Sequence, residues 1–465
     1  MKTLQILVIA LLAATPVFSQ EFEDSPFGIT ESIKPIEEYV EMSSLGVKWV
    51  RQGGPQGLNW FIYSEQPNGF WKRPDELYSL IEENEMEQVV IVRLKKLPED
   101  MNSYRDFLSD AVTRYPYVKV WEFEQELENG WEDTLDNYAL VLKESYKIVK
   151  QLNPESDVSF AAMAGPWEIE RTLIPVVDEL NMIADSPNDK YFDIVSLHWS
   201  GKSNENDYEK EVYQETYLLE DAVNEFKSVL EASGYVDIPI WISATSYNDG
   251  QPTERISLNP RTEKQQASML LKMYVYPLAK GISKIFWITI EEHVDSFSCN
   301  GREDECVDYY DLVGLINNPD NEDKKSHKKL SFYTYKKMTE KLEGSNWNNI
   351  QTIQELDSVN IYRFIRDSEP VYVAWWDYFD DPNYTPGDTR AITLTGLTGT
   401  EMTVTDLVPD YPDGSQVTDY ASAFTVTRVP IAGGEAVIEL GQDPVIIELI
   451  CRSHAPRRAS GRVVP

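Results

Sequence analysis

The sequence predicts an α/β chain: a (β/α)8 barrel of the TIM type followed by a C-terminal β-sandwich. Three observations predict it. Over about 320 residues, short apolar runs alternate with amphipathic stretches. From about Asn349 the pattern changes to short strands punctuated by turn residues. The apolar runs of the first part end abruptly in polar and aromatic residues, as barrel strands do at the face that carries function. A length of 465 residues suits one large and one smaller unit. A hydrophobic content of 42%, with 12 Trp and 26 Tyr, is ample for both cores.

The chain begins MKTLQILVIALLAATPVFSQ, with Lys2 ahead of an apolar run from Leu4 to Ala14 and small residues up to Ser19. Residues 1–19 therefore read as a signal peptide cleaved near Ser19–Gln20, which implies a secreted or periplasmic protein. No later run approaches the roughly 20 apolar residues of a membrane span, so no membrane association is expected after cleavage. The barrel is assigned to residues 20–345. Its strands are Phe27–Thr30, Val47–Arg51, Val89–Leu94, Val118–Phe123, Val158–Ala164, Ile194–His198, Ile238–Ser243 and Lys284–Ile290. Helices with apolar residues at spacings of three and four include Pro74–Glu85, Tyr104–Tyr115, Thr134–Leu152, Glu263–Lys280 and Lys325–Leu342, the last stopped by Gly344. The sandwich, residues 346–451, is built from VNIYRFIR, PVYVAWWDY, TRAITLTG, EMTVTDL, FTVTRVPI, EAVIELG and PVIIELI. The basic tail, residues 452–465, lacks periodicity and is expected to be disordered.

With 78 acidic and 42 basic residues the formal charge is −36, which repels phosphate backbones and argues against a nucleic-acid partner. Of three cysteines, Cys299 and Cys306 can close a small disulfide loop in an oxidising compartment, leaving Cys451. Their spacing fits no zinc site, and the acidic loops EDECVDYYD and NPDNED lack EF-hand spacing, so neither a metal nor another cofactor is expected. The sequence leaves the oligomeric state open.

The barrel face at the C-terminal strand ends collects the chemistry. Strand two ends in Arg51; strand four in Glu122, Glu124, Gln125 and Glu126, with Trp131 just beyond. Strand six ends in His198 and Trp199, strand seven in Ser243, Ala244 and Thr245, and strand eight, which carries Trp287, in Glu291 and Glu292. Planar polar groups take pairs of hydroxyls, indoles stack on sugar rings, and carboxylates carry protons, so carbohydrate is the expected partner. Trp60 and Trp287 can serve as platforms or fill the core, and Arg51 can bond a sugar or a structural carboxylate.

Taken in order, SPFGI, LGVKWVRQ, VWEFEQELENGW, FDIVSLHWSG, IPIWISATSYNDG, GISKIFWITIEEH and LVGLINNPDNEDKKSHKKLSFYTYKKMTEKLEG resemble a clan A glycoside hydrolase. The likeness is nearest to the β-xylosidase/α-iduronidase group and related endo-glycanases. The resemblance implies an Asn–Glu pair after strand four, the Glu being the acid/base, and a nucleophilic Glu after strand seven. Gln125–Glu126 stands at the first pair, the extra methylene moving the amide by about 1.5 Å. At the second position this chain has Ala244. It also implies sugar contacts from His198 and Trp199.

Ala244 can neither attack an anomeric carbon nor accept a proton, so double displacement is closed to these residues. Two uses of the cleft follow. Either Glu126 works with another carboxylate, for which Glu291, Glu292, Asp249 and whichever of Glu122 and Glu124 faces the barrel interior are the candidates, or the protein binds carbohydrate without cleaving it. A third reading makes Ala244 a substitution in an otherwise ordinary retaining enzyme.

Overall fold

The computed structural model describes residues 25–31, 36–52, 57–200, 219–250, 260–293, 309–321, 325–378 and 383–450. Residues 1–24 and 451–465, with the expected signal peptide and basic tail, lie outside the described residues, as do Cys299, Cys306 and Cys451. Eight short strands carry the first domain: β1 Phe27–Glu31, β2 Trp49–Gln52, β3 Glu87–Arg93, β4 Val120–Phe123, β5 Asp157–Ser159, β6 Val195–His198, β7 Ile240–Thr245 and β8 Lys284–Ile288. All neighbouring pairs are parallel, in the order β5-β4-β3-β2-β1-β8-β7-β6. Bridges Ser159↔Ile194 and Met163↔Leu197 join β5 to β6 and close the ring.

The helices between them are α1 Ile36–Ser44, α2 Trp60–Glu65, α3 Lys72–Glu83, α4 Met101–Arg114, α5 Leu127–Gly130, α6 Leu135–Leu152, α7 Ile174–Ile183, α8 Leu219–Ala232, α9 Glu263–Ala279 and α10 Leu330–Leu342. Their starts are fixed by ordinary capping chemistry. Asp100 accepts from the N–H groups of Asn102 and Ser103 ahead of α4, and Thr262 with Gln265 forms a capping box on α9.

The barrel is plugged at its N-terminal end. Trp49, Val89, Val120, Ile194, Trp241 and Phe286 form a cluster separate from the helix-facing core. The Lys284 ammonium sits 4.2 Å from the Trp49 ring and 5.4 Å from that of Trp241. Gly28 is required here: a Cβ would come within 2.5 Å of the Phe286 ring. Polar residues are thereby displaced to the opposite mouth, where β2 and β4 already meet across the interior through Arg51 and Glu122.

The second domain has β9 Gln351–Leu356, β10 Val359–Arg366, β11 Glu369–Trp376, β12 Arg390–Leu394, β13 Glu401–Asp406, β14 Val426–Pro430, β15 Ala436–Leu440 and β16 Val445–Leu449. A six-stranded sheet, β9-β10-β11-β16-β13-β14, faces the pair β12-β15 over a core that includes Trp376, Ile438 and Ile447. The sandwich is tied to the last two barrel helices. Lys272 pairs with Asp377 at 3.0 Å, Lys280 with Glu355 at 2.7 Å, and the Thr334 hydroxyl donates to the Leu407 carbonyl. Among the described residues no helix is long and apolar enough to cross a membrane.

Candidate active site

The strand-four end builds the first half of the mouth. Arg51, only 1% exposed, donates from Nε and Nη2 to the two carboxylate oxygens of Glu122 at 2.9 and 2.6 Å, and more distantly to Gln125 Oε1 at 3.4 Å. This is a bidentate pair inside the barrel, so Arg51 is a positioning group and not a sugar contact. Beyond β4 the backbone turns sharply, Glu124 and Glu126 both taking positive φ (66° and 47°). The Glu126 N–H is fixed to the Ala162 carbonyl at 2.6 Å and Gln125 bridges Ala162.

That turn sends the two carboxylates to different surroundings. Glu124 is fully buried, one oxygen accepting from the Leu94 and Lys95 N–H groups, and burial raises its carboxyl despite those bonds. Glu126 points into the mouth. Its Oε1 lies 2.6 Å from His198 Nδ1, and its Oε2 accepts from Asn129 Nδ2 at 3.1 Å. Burial would raise the Glu126 carboxyl, but the His198 hydrogen bond and charge outweigh it, with help from Asn129 and Arg51, and pull it from 4.5 to about 2.

The strand-seven end is arranged by a bulge. Leu197 pairs with Ile242, but His198 pairs with Ala244, so Ser243 is passed over. Its carbonyl is taken by the Thr30 hydroxyl at 2.6 Å. Because His198 reaches Glu126 across β5, the bulge places its register partner Ala244 on the mouth side as well. His198 thus reaches Glu126 of the β4 end on one side and pairs in register with Ala244 of β7 on the other.

The other candidate carboxylates are engaged. Lys329, fully buried at the start of α10, is ion-paired to both Asp249 and Glu292. Glu292 also accepts from Asn317 Nδ2, the Asn318 N–H and Asn321 Nδ2. Attraction to the two carboxylates outweighs burial and raises Lys329 further. Glu292 and Asp249 are thus structural, contrary to their expected role as rescue groups. Glu291 is half-buried and bridges Ile316 through its backbone.

The aromatic expectations need similar correction. Trp287 is 0% exposed with its indole N–H on the Val313 carbonyl, so no sugar can stack on it. Trp199 is buried and stacks on Tyr276 of α9. Trp60 is packed among Tyr63, Tyr104 and Phe107. Trp131 remains half-exposed, its indole N–H on the Thr134 carbonyl and its edge on Tyr138.

The strand-five end, by contrast, holds groups the sequence pattern did not expose. Half-exposed Trp167 folds over Gly165, where a Cβ would come within 2.1 Å of its ring. Buried Glu168 accepts from the Thr172 hydroxyl in a π-helical turn, and Glu128 accepts from the Ala164 N–H at 2.8 Å. Only the GPW tripeptide after a strand could have signalled this.

No protein-family model and no curated protein matches the sequence. Solved structures do. A glucosidase from Croceicoccus marinus superposes with a TM-score of 0.59 at 12% identity, covering 92% of this chain and 97% of the other. An α-L-arabinofuranosidase from Thermotoga maritima, in complex with arabinose, gives the same TM-score, identity and coverage. A rhamnosyl-glucuronidase from Fusarium oxysporum gives 0.56 at 13%, covering 91% and 96%. The fold is shared with these glycoside hydrolases. Coverage extends over both domains, so the shared architecture includes the sandwich as well as the barrel.

Proposed function

We propose that this is an exported carbohydrate-binding protein built on a glycosidase barrel whose hydrolytic pair has become a recognition site. One observation carries the reading: the residue beside His198 at the mouth is Ala244, while Glu126 gives both carboxylate oxygens to protein donors and is held ionised. Retaining hydrolysis needs two carboxyl groups about 5–5.5 Å apart, one of them protonated. A carboxyl pulled down to about 2 is a poor proton donor near neutrality. Lys329 holds Asp249 and Glu292, two of the carboxylates that follow strands seven and eight.

The chemistry favours a neutral, hydroxyl-rich ligand. Glu126, Glu128 and Glu168 crowd the mouth and the whole chain carries −36, both of which disfavour polyanions. Half-exposed Trp131 and Trp167 offer apolar faces to sugar rings. The arabinose complex of the similarly folded arabinofuranosidase supports a sugar in such a barrel.

A second reading, inverting hydrolysis with ionised Glu126 as the base and Glu128 as the acid, is favoured by one feature. Partial desolvation and the charges of Glu168 and Glu126 raise the Glu128 carboxyl, setting a protonatable group near an ionised one. Inverting hydrolysis uses such a division.

Calorimetry against neutral xylo-, arabino- and cello-oligosaccharides, run with a reducing-sugar assay, separates the two. Binding without release is expected, and Ala244→Glu is expected to create turnover of aryl glycosides. Release by the wild-type chain that Glu128→Gln abolishes would establish hydrolysis instead. Absence of both binding and release removes the carbohydrate role.

A further inference from the structure

Two arginines stand near the C-terminal ends of neighbouring barrel strands, and they differ in what they hold. Arg51 of β2 is sealed, its fork occupied by Glu122. Arg93, the last residue of β3, keeps its fork open. Val89 of the same strand belongs to the plug, and side chains alternate along a strand, so Ile91 and Arg93 share its inward face. Arg93 is thereby set at the mouth, with a side chain 21% exposed. Its Nε is enclosed and has no hydrogen-bond partner. Among the described residues its one ion pair is with Glu124 Oε2 at 3.7 Å, beyond hydrogen-bonding distance. Glu124 Oε2 likewise accepts no hydrogen bond.

The surroundings hold this guanidinium in place without covering it. Glu124 is fully buried and its other oxygen accepts from the Leu94 and Lys95 N–H groups, so a fixed carboxyl faces Nε. Gly130 leaves the necessary room, since a Cβ there would come within 3.1 Å of Arg93 Nη2. The next residue is Trp131, half-exposed and able to offer a face to a sugar ring. A guanidinium stays charged across the physiological range and aims its donors in one plane, in a fixed fork. Hydroxyls on neighbouring ring carbons present two acceptor oxygens side by side, which such a fork can take together.

We propose that Arg93 is a specificity-determining residue, donating from its fork to two hydroxyls on neighbouring carbons of one sugar ring, and that Glu124 and Gly130 position it. This rests on the carbohydrate-binding reading above and names the ligand group it leaves open: an adjacent hydroxyl pair, not a carboxylate. Charge decides between the two. The Glu124 carboxyl already faces the guanidinium, and Glu126 follows on the same turn, so an acidic ligand would meet like charge. Hydroxyls accept the same hydrogen bonds and add no charge. The test uses calorimetry on the mature full chain with the xylo-, arabino- or cello-trisaccharide that the wild type binds most tightly. Forms of that sugar lacking the C2 or C3 hydroxyl of each ring in turn are compared with it.

For the wild type, one deoxy form is expected to bind about tenfold more weakly, or about 1.4 kcal/mol. Arg93→Lys keeps the charge beside Glu124 but lacks the planar fork. It should bind the parent sugar about tenfold more weakly and separate parent from deoxy forms by no more than about threefold, so that protein and ligand changes are coupled. Gly130→Ala crowds Nη2 while retaining the arginine, and should reduce the same discrimination; it carries the comparison if Arg93→Lys does not fold. Discrimination unchanged in the variants, or a wild type indifferent to every deoxy form, makes Arg93 structural and overturns the proposal while carbohydrate binding stands. Tighter binding of a uronic-acid trisaccharide, lost in Arg93→Lys, would replace the hydroxyl pair with a carboxylate. A wild type that binds none of these sugars removes the role together with the function beneath it.

Discussion

The two sides of the barrel mouth handle charge in opposite ways. On the side of β4 to β6, Glu126 is partly exposed, at 32%, and meets a histidine whose far nitrogen has no protein partner. On the side of β7 and β8, Asp249 and Glu292 are sealed around Lys329, and three asparagines also donate to Glu292. In the sequence both sides look alike, as glutamates or aspartates just past an apolar strand. The difference teaches that a rim carboxylate becomes functional or structural according to which cation reaches it. A distant buried lysine makes a latch, and a partly exposed imidazole leaves an open site.

The sharpest way to break this contrast is to remove the latch. Lys329→Met should cost about 3–5 kcal/mol in urea unfolding, because two carboxylates are left buried without their cation. A loss below about 1 kcal/mol would mean that Glu292 and Asp249 are free to serve the cleft. Arg51→Lys comes next. It keeps the charge but loses the fork on Glu122, and about 1.5–3 kcal/mol of stability should go with it. Oligosaccharide affinity should fall only indirectly.

The open side should show itself through pH. The folded state pulls the Glu126 carboxyl from 4.5 to about 2, so ionisation stabilises the fold. That contribution is complete above about pH 4.5 and disappears as pH falls through about 2. The stability gap between wild type and Glu126→Gln should therefore be larger at about pH 6 than at about pH 3, measured by urea unfolding. A constant gap would show that the imidazole does not favour the carboxylate. The smallest effect concerns neither side of the mouth. Lys341→Gln removes a partly exposed pair with Glu448 between α10 and the sandwich, worth at most about 1 kcal/mol and weakened by salt.

Several parts of this picture were legible in the letters. The eight apolar runs coincide with β1 to β8, because a strand buried on both faces has to be almost continuously apolar. Their boundaries drift by up to two residues where turns and caps decide, as at Val47 against Trp49 and Ile238 against Ile240, and by five at the end of β5, Ala164 against Ser159. The change of period near Asn349 marks the sandwich, whose first strand begins at Gln351. Glu126, His198 and Ala244 could be named because position after a strand implies position at a rim. Trp199 was misplaced and Trp287 left open between core and cleft because an indole is compatible with either side of a strand, and a one-residue difference decides between the two. Trp167, Glu128 and Glu168 were missed because the strand-five turn has no periodic signature.

The sequence by itself determined the ring of strands, the appended sandwich and the absence of a carboxylate at position 244, since apolar periodicity and residue identity are local properties. Only the tertiary structure decided which acidic side chains met Lys329, which met His198, and that a bulge at Ser243 set Ala244 beside that histidine. Those choices depend on contacts between strands dozens of residues apart, which no single stretch of sequence encodes.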